Sequence, residues 1–206
     1  MGEDRDNKKV RDIPDLMSEA NKLTNDLKTV IADMEEKRGR VFLKCLKDQI
    51  RYLDWGEGFN PKKRKNFERK EVVHVQFGFN TGSEHGGPHW AVILDGEKWS
   101  CPTVTVVPLG SLEEGETQEH VHKDDVFIGT IPSINEKLVY AIPNQIRTIS
   151  KLRIIRPRHK NDKSIKLSNQ QMDEIDKKLF QMFFSKSKVI HELVANLSEA
   201  ATAREK

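Results

Sequence analysis

Hydrophobic positions in the first quarter of the chain recur at alternating steps of four and three: Leu16, Ala20, Leu23, Leu27, Val30 or Ile31, and Met34. That spacing lines one face of a helix and suits a partner helix, in a hairpin or short coiled coil. Residues 13 to about 53 therefore read as helical, with Pro14 in the first turn. Gly39, within Lys-Arg-Gly-Arg, is the expected break before Val41, Phe42, Cys45, Leu46, Ile50 and Leu53 resume the run. No polar constellation suited to chemistry falls here, so this part reads as a packing or association element.

Trp55-Gly-Glu-Gly-Phe-Asn-Pro61 reads as a linker, dividing a helical extension (1–60) from a second domain (61–206). From residue 71 the period changes to two: Val73, Val75, Phe77 and Phe79 alternate with His74, Gln76 and Gly78. Trp90–Leu94 and Val104–Leu109 read as short buried strands, and Val126–Ile128 and Leu138–Ile142 as two more. Residues 110–125 are polar and glutamate-rich, a long loop. Short strands at close spacing, with Gly and Pro between them, point to a small β-barrel rather than a βαβ sheet. Ser168 is a plausible N-cap for a helix carrying Met172, Ile175, Leu179, Met182 and Phe183 on one face, and Val189–Ala201 continues it or docks separately.

Composition adds limits. Of 206 residues, 36% are hydrophobic and 33% charged, which suits a protein with an exposed helical portion. No apolar run approaches membrane-spanning length, and the polar N-terminus has no secretory h-region. Two cysteines, Cys45 and Cys101, make no disulfide framework or metal-ligand spacing, so a reducing cytoplasm is the expected setting. The net charge of +3 hides two basic blocks, Lys62–Lys70 and Lys151–Lys160, around an acidic stretch from Glu113 to Asp125. The blocks either gather phosphates or are solvated surface charge.

Chemistry concentrates between residues 82 and 89. His89 follows Gly86, Gly87 and Pro88 at the mouth of an apolar strand, where an imidazole can exchange a proton near neutral pH or simply bond to backbone. Ser83, beside Glu84, either holds a phosphate with nearby N–H groups or is an ordinary turn serine. Ser111 ends a strand and faces the same site if that strand is adjacent; otherwise it caps a loop. Gln145, Arg147 and Thr148 follow Pro143, and Arg147 suits bidentate pairing with phosphate or a structural tie. His120 and His122 lie two apart but lack a third ligand at convincing spacing, so no metal or cofactor is expected. P-loop, dinucleotide and nucleophile-elbow patterns are absent, which argues against nucleotide-dependent enzymes and serine hydrolases.

Three ordered segments resemble the PemK/MazF family of toxin endoribonucleases. Gly82-Ser-Glu-His-Gly-Gly-Pro-His89 is similar to the family's Gly-Ser-Glu-Gln-Gly-Gly-x-Arg-Pro, and Pro102–Leu109 to its apolar strand leading to a Thr/Ser. Asn144-Gln-Ile-Arg-Thr-Ile-Ser-Lys-Leu-Arg153 is similar to its Asp/Glu-Gln-Ile-Arg-Thr-Ile-Asp-Lys-x-Arg. The resemblance spans roughly residues 70 to 185. It implies an SH3-like barrel with a C-terminal helix, usually a homodimer, that cleaves single-stranded RNA without metal and is held inactive by a cognate antitoxin. Carried over by position, it implies His89 and Ser111 as catalytic residues and Ser83, Glu84, Gln145, Arg147 and Thr148 as substrate-binding ones. The family's catalytic arginine corresponds to His89, with Trp90 in place of proline, and its threonine to Gly110, with Ser111 next door. The other reading is a catalytically silent module of this fold that binds RNA or a partner protein.

Overall fold

The computed structural model describes residues 8–95, 99–157, 159, 161–190 and 192. The chain forms two compact units, residues 1–47 and 48–206. In the first, α1 spans Pro14–Ala32 and is followed by α2, Glu36–Gly56, whose last turns belong to the second unit. The break falls at residues 33–35, not at Gly39, which lies inside α2 with its N–H donating to the Glu35 carbonyl. Charge accounts for the position. Asp33, Glu35 and Glu36 are unfavourable at the negative end of a helix dipole, and α1 has no basic residue in its last turn; Glu36 is favourable at the start of α2.

The second unit is built on eight strands: β1 (Glu71–Gln76), β2 (Pro88–Asp95), β3 (Thr103–Ser111), β4 (Val126–Ile131), β5 (Asn135–Ala141), β6 (Arg147–Ser150), β7 (Ile154–Arg156) and β8 (Ile165–Lys166). Among the described residues the strand pairings are antiparallel, in the order β4-β5-β3-β2-β1-β7, with β6 on β3 and β8 on β1. The mainly-β fold with flanking helices is as expected, but the barrel is not closed. Instead, β3 pairs along one edge first with β6 and then with β5, and β1 pairs with β8 and then with β7. The path ends at β4 and β7 without joining. Strands β6, β7 and β8 have only two to four residues each, too few to register as a period, and the sequence reading missed them.

Alternation along β1–β3 feeds two cores. Val73, Val75, Phe77, Ala91, Ile93, Val104 and Val106 join Phe67, Ile149 and Ile154 on one face. Val72, Val92, Val107 and Leu109 join β4, β5 and the helix α3 (Asn169–Phe184) on the other. With both faces covered, even polar Glu71 and Gln76 are buried. Helix α3 starts where its pattern placed it, capped by Ser168, whose hydroxyl accepts from the Gln171 N–H while Gln171 returns a bond to the Ser168 N–H. Met172 and Ile175 anchor it in the core, while Phe183 is exposed. The segment from Val189 to Ala201 lies largely outside the described residues.

Most of the basic residues are tied down, which corrects the picture of two free positive surfaces. Lys65 bonds to Ser164 and to the buried Glu71 carboxylate at 3.0 Å, and Arg69 reaches the Leu94 carbonyl and Asp176. Lys151 is buried, its Nζ donating to the Trp99 carbonyl at 3.3 Å. Arg153 donates to the Gln76 and Phe77 carbonyls and to Gln49. Arg158 and Lys160 lie outside the described residues. Lys62 and Lys63 remain exposed.

The Lys65–Glu71 pair sits in a nearly dry site, with side chains 12% and 2% exposed. Glu71→Ala strands the ammonium there and is expected to cost about 3 kcal/mol in urea unfolding. Lys166→Ala, which removes only the exposed pair with Glu68, leaves the urea midpoint nearly unchanged.

Candidate active site

Because β1 to β3 are buried on both faces, polar groups collect where β1 and β2 end. The β1–β2 ladder runs to Val75↔His89 and Gln76↔Pro88. Two further bonds extend it, Phe77 N–H to the Gly87 carbonyl at 2.8 Å and Gly87 N–H to the Gly78 carbonyl at 2.6 Å. Gly78 and Gly87 take φ of +92° and +75°, conformations that glycine adopts without a Cβ penalty. At Gly86 a Cβ would stand 3.0 Å from the Gly78 carbonyl oxygen, so a side chain there would press the two crossing backbone segments apart.

The base of this loop is held from both sides. Gln76 donates to Asp48 of α2 at 3.0 Å and its side-chain oxygen accepts from the Gly78 N–H. Arg153 binds the two carbonyls at the end of β1, with its guanidinium carbon 5.7 Å from the Tyr52 ring centre. Helix α2 thus contributes to the second unit through the turns after Asp48.

Residues paired across strands share a face, so His89 lies on the side of Val75, and Arg147, paired with Val106, on the side of that residue. Both faces line the core that ends in Phe77. The Phe77 ring is the floor: His85 meets it edge-on at 5.7 Å between centres, and the Arg147 guanidinium lies 5.2 Å above it. The rings of His85 and His89 are 4.1 Å apart. Gln145 links the group, its Oε1 accepting from the His85 N–H at 3.1 Å and from Arg147 at 3.0 Å. Asn80 donates to the His85 carbonyl at 2.7 Å.

Charge is scarce on the imidazoles. His85 has its pKa pushed down to about 4, by burial first and then by His89 and Arg147. Its Nε2 is buried without a hydrogen-bond partner. Burial also lowers the pKa of His89, against a hydrogen bond to the Gly86 backbone that favours the charged form. Both rings are neutral at pH 7, next to a permanent guanidinium charge.

Of the residues singled out from sequence, the structure gathers His89, Gln145 and Arg147 around His85. Ser83 and Glu84 occupy the exposed tip of the same loop. Thr148 points to the other side of β6, its hydroxyl 3.2 Å from that of Thr105. Ser111 ends β3 opposite Val139 on β5, and among the described residues no hydrogen bond joins it to the histidines. At Gly110 a side chain would overlap the Tyr140 ring where that ring now lies. His120 and His122 lie in a short helical turn and a loop rather than on a strand, each accepting from a nearby backbone N–H. Among the described residues no group of three His, Cys, Asp or Glu is placed to hold a metal ion. Sequence reasoning placed His85 in the glycine-rich loop but gave it no role at the site, and it did not single out Asn80. The signal available for His85 was its place beside Gly86-Gly87, four residues before His89.

A family model described as PemK-like, MazF-like toxin of type II toxin-antitoxin system matches residues 68–183, more than half of the chain and all of the site. No curated protein matches the chain in sequence. Among solved structures, MazF from Deinococcus radiodurans is 15% identical, covering 56% of this chain and 94% of that one, with a TM-score of 0.43. An endoribonuclease from a Mycobacterial species, in complex with its cognate antitoxin, is 16% identical over 56% of this chain and 91% of that one, at a TM-score of 0.36.

A histidine held neutral in the folded state favours unfolding once the unfolded chain can take up its proton. Stability is therefore expected to fall as pH drops from about 6.5 toward 4, because the unfolded state binds more protons across that window. Urea midpoints at pH 7.5 and 5 should show a smaller loss in His85→Ala than in the wild type.

Proposed function

The chain belongs to the PemK-like, MazF-like toxins of type II toxin–antitoxin systems, and on that premise we propose that it is a metal-independent endoribonuclease cleaving single-stranded RNA. The observation that carries this reading is the half-buried His89 imidazole, stacked on His85 in a cluster that also holds Arg147, with burial lowering its pKa. A neutral imidazole is a competent base for a ribose 2′-OH. In the proposed step His89 takes the 2′-hydroxyl proton, the 2′-oxygen bonds to phosphorus, and the P–O5′ bond breaks. Water protonates the leaving 5′-oxygen, and His89 returns its proton to solvent. The products carry a 2′,3′-cyclic phosphate and a free 5′-hydroxyl. Arg147, anchored by Gln145 and Phe77, offsets the charge gathering on the phosphoryl oxygens. Ser83 and Glu84 at the loop tip and Gln145 beside Arg147 position the RNA strand; Thr148, on the other side of β6, and Ser111, at the end of β3 beside β5, take no part in this step. We assign a homodimer, a cognate antitoxin partner and a cytoplasmic setting on the same premise. No helix among the described residues is long and apolar enough to cross a membrane.

A second reading has one observation in its favour. The chain has His89 where the arginine was expected and Gly110, beside Tyr140, where the threonine was. A barrel that binds RNA or protein without cutting would tolerate both changes.

Cleavage of a long single-stranded RNA is expected to proceed in EDTA. His89→Ala is expected to lose about 10²–10⁴-fold in rate with RNA affinity little changed. Wild-type rates in that variant would sink the assignment of His89, and binding without cutting across a broad set of sequences would establish the silent module. The rate is also expected to fall on the acid side through a pKa below 6.5, as His89 becomes protonated and stops acting as a base. A rate that does not fall at any acid pH at which the protein stays folded would contradict that role.

A further inference from the structure

Helix α1 buries none of its residues. Its apolar stripe, Leu16, Ala20, Leu23, Leu27, Val30 and Met34, repeats in steps of four and three across the helix. Leu23 and Val30 are 59% and 56% exposed. One flank is acidic at every heptad: Asp12, Glu19, Asp26 and Asp33, each seven residues from the next and each one position before an apolar residue. The opposite flank, Met17, Thr24 and Ile31, carries no charge.

Helix α2 carries a second such stripe. Gln49 and Tyr52 face Arg153, but Leu43, Ile50 and Leu53 are 49%, 59% and 68% exposed on another side, with Leu46 between them. Here the charges that follow the first three apolar residues are basic, Lys44 after Leu43, Lys47 after Leu46 and Arg51 after Ile50, while Asp54 follows Leu53. The helices have 19 and 21 residues, about 28 and 31 Å, so their stripes match in length.

We propose that α1 of one copy of this chain docks along the exposed stripe of α2 of a second copy, with the two helices parallel. Flank geometry selects this occupant. In a parallel pair, the flank preceding the seam on one helix meets the flank following it on the other; in an antiparallel pair, like flanks meet. Only the parallel arrangement sets the acidic row of α1 against the basic row of α2. Helices joined by three residues, Asp33–Glu35, can lie side by side only antiparallel, so the complementary pairing needs another chain. Pairing α1 with α1 of the second copy gains nothing: it sets acid on acid when antiparallel and acid on uncharged residues when parallel. Exchange in both directions gives a self-complementary interface, independent of the nuclease reading.

Charge reversal on the full-length chain tests it by sedimentation equilibrium. Glu19→Lys with Asp26→Lys, or Lys44→Glu with Lys47→Glu, is expected to weaken self-association on the order of tenfold. The quadruple variant recovers it, since each reversed row then meets its reversed partner, and added salt weakens the wild type. All four positions are exposed, so far-ultraviolet circular dichroism should stay unchanged. As an independent measurement, wild type refolded from a mixture of heavy- and light-isotope chains is treated with a carbodiimide. Cross-links joining Glu19 or Asp26 to Lys44 or Lys47 are expected to unite one heavy and one light peptide. Association constants indifferent to both reversals, a quadruple variant as weak as the doubles, or cross-links confined to single chains would overturn the proposal.

Discussion

A sheet covered on both faces leaves its middle strands no place for exposed polar chemistry. In this chain β1, β2 and β3 carry one apolar row into each of two cores, so that even Gln76 and Glu71 are buried and must find partners. The histidines and Arg147 accordingly gather at the strand ends. The glycine-rich β1–β2 loop is where that displacement gathers polar groups: Phe77 closes the core, and the two histidines and Arg147 pack against it and one another.

Rigidity there comes from backbone capture rather than from further apolar packing. Gln145 and Asn80 hold His85 by its N–H and its carbonyl, and Arg153 and Gln76 fix the two residues before the loop. Gln145 and Arg153 reach the loop from elements far away in sequence, whereas Asn80 acts within it. The cations that looked available for phosphate are largely spent on this framework, and Arg147 is left as the guanidinium at the site. Charge at the site is accordingly asymmetric, with one permanent cation beside two imidazoles that burial keeps neutral.

Much of this was legible in the sequence, for identifiable reasons. The change from a helical period to a period of two near residue 71 marked the start of β1, and Ser168 with Gln171 marked the start of α3. His89, Gln145 and Arg147 stood out because glycine, proline and a basic residue bounded them. Other features left no local trace. Strands β6 to β8 are too short to show a period, and the break at residues 33–35 rests on charges at helix ends rather than on a glycine. The partnership of His85 with His89 depends on how the loop folds back, and Tyr140 lies against Gly110 through a contact between β3 and β5. Such contacts arise from tertiary packing and have no signature in residue order.

On the proposed function, the neutral histidine pair beside Arg147 forms one site for an RNA phosphate. Nuclear magnetic resonance of the His85 and His89 rings across a pH titration, with and without a non-cleavable 2′-deoxy-substituted oligonucleotide, tests it most directly. Both rings are expected to titrate below 6.5, His85 near 4, and both midpoints to rise when the oligonucleotide's phosphate reaches the site. Ordinary midpoints near 6.5 that ignore the oligonucleotide would contradict the account.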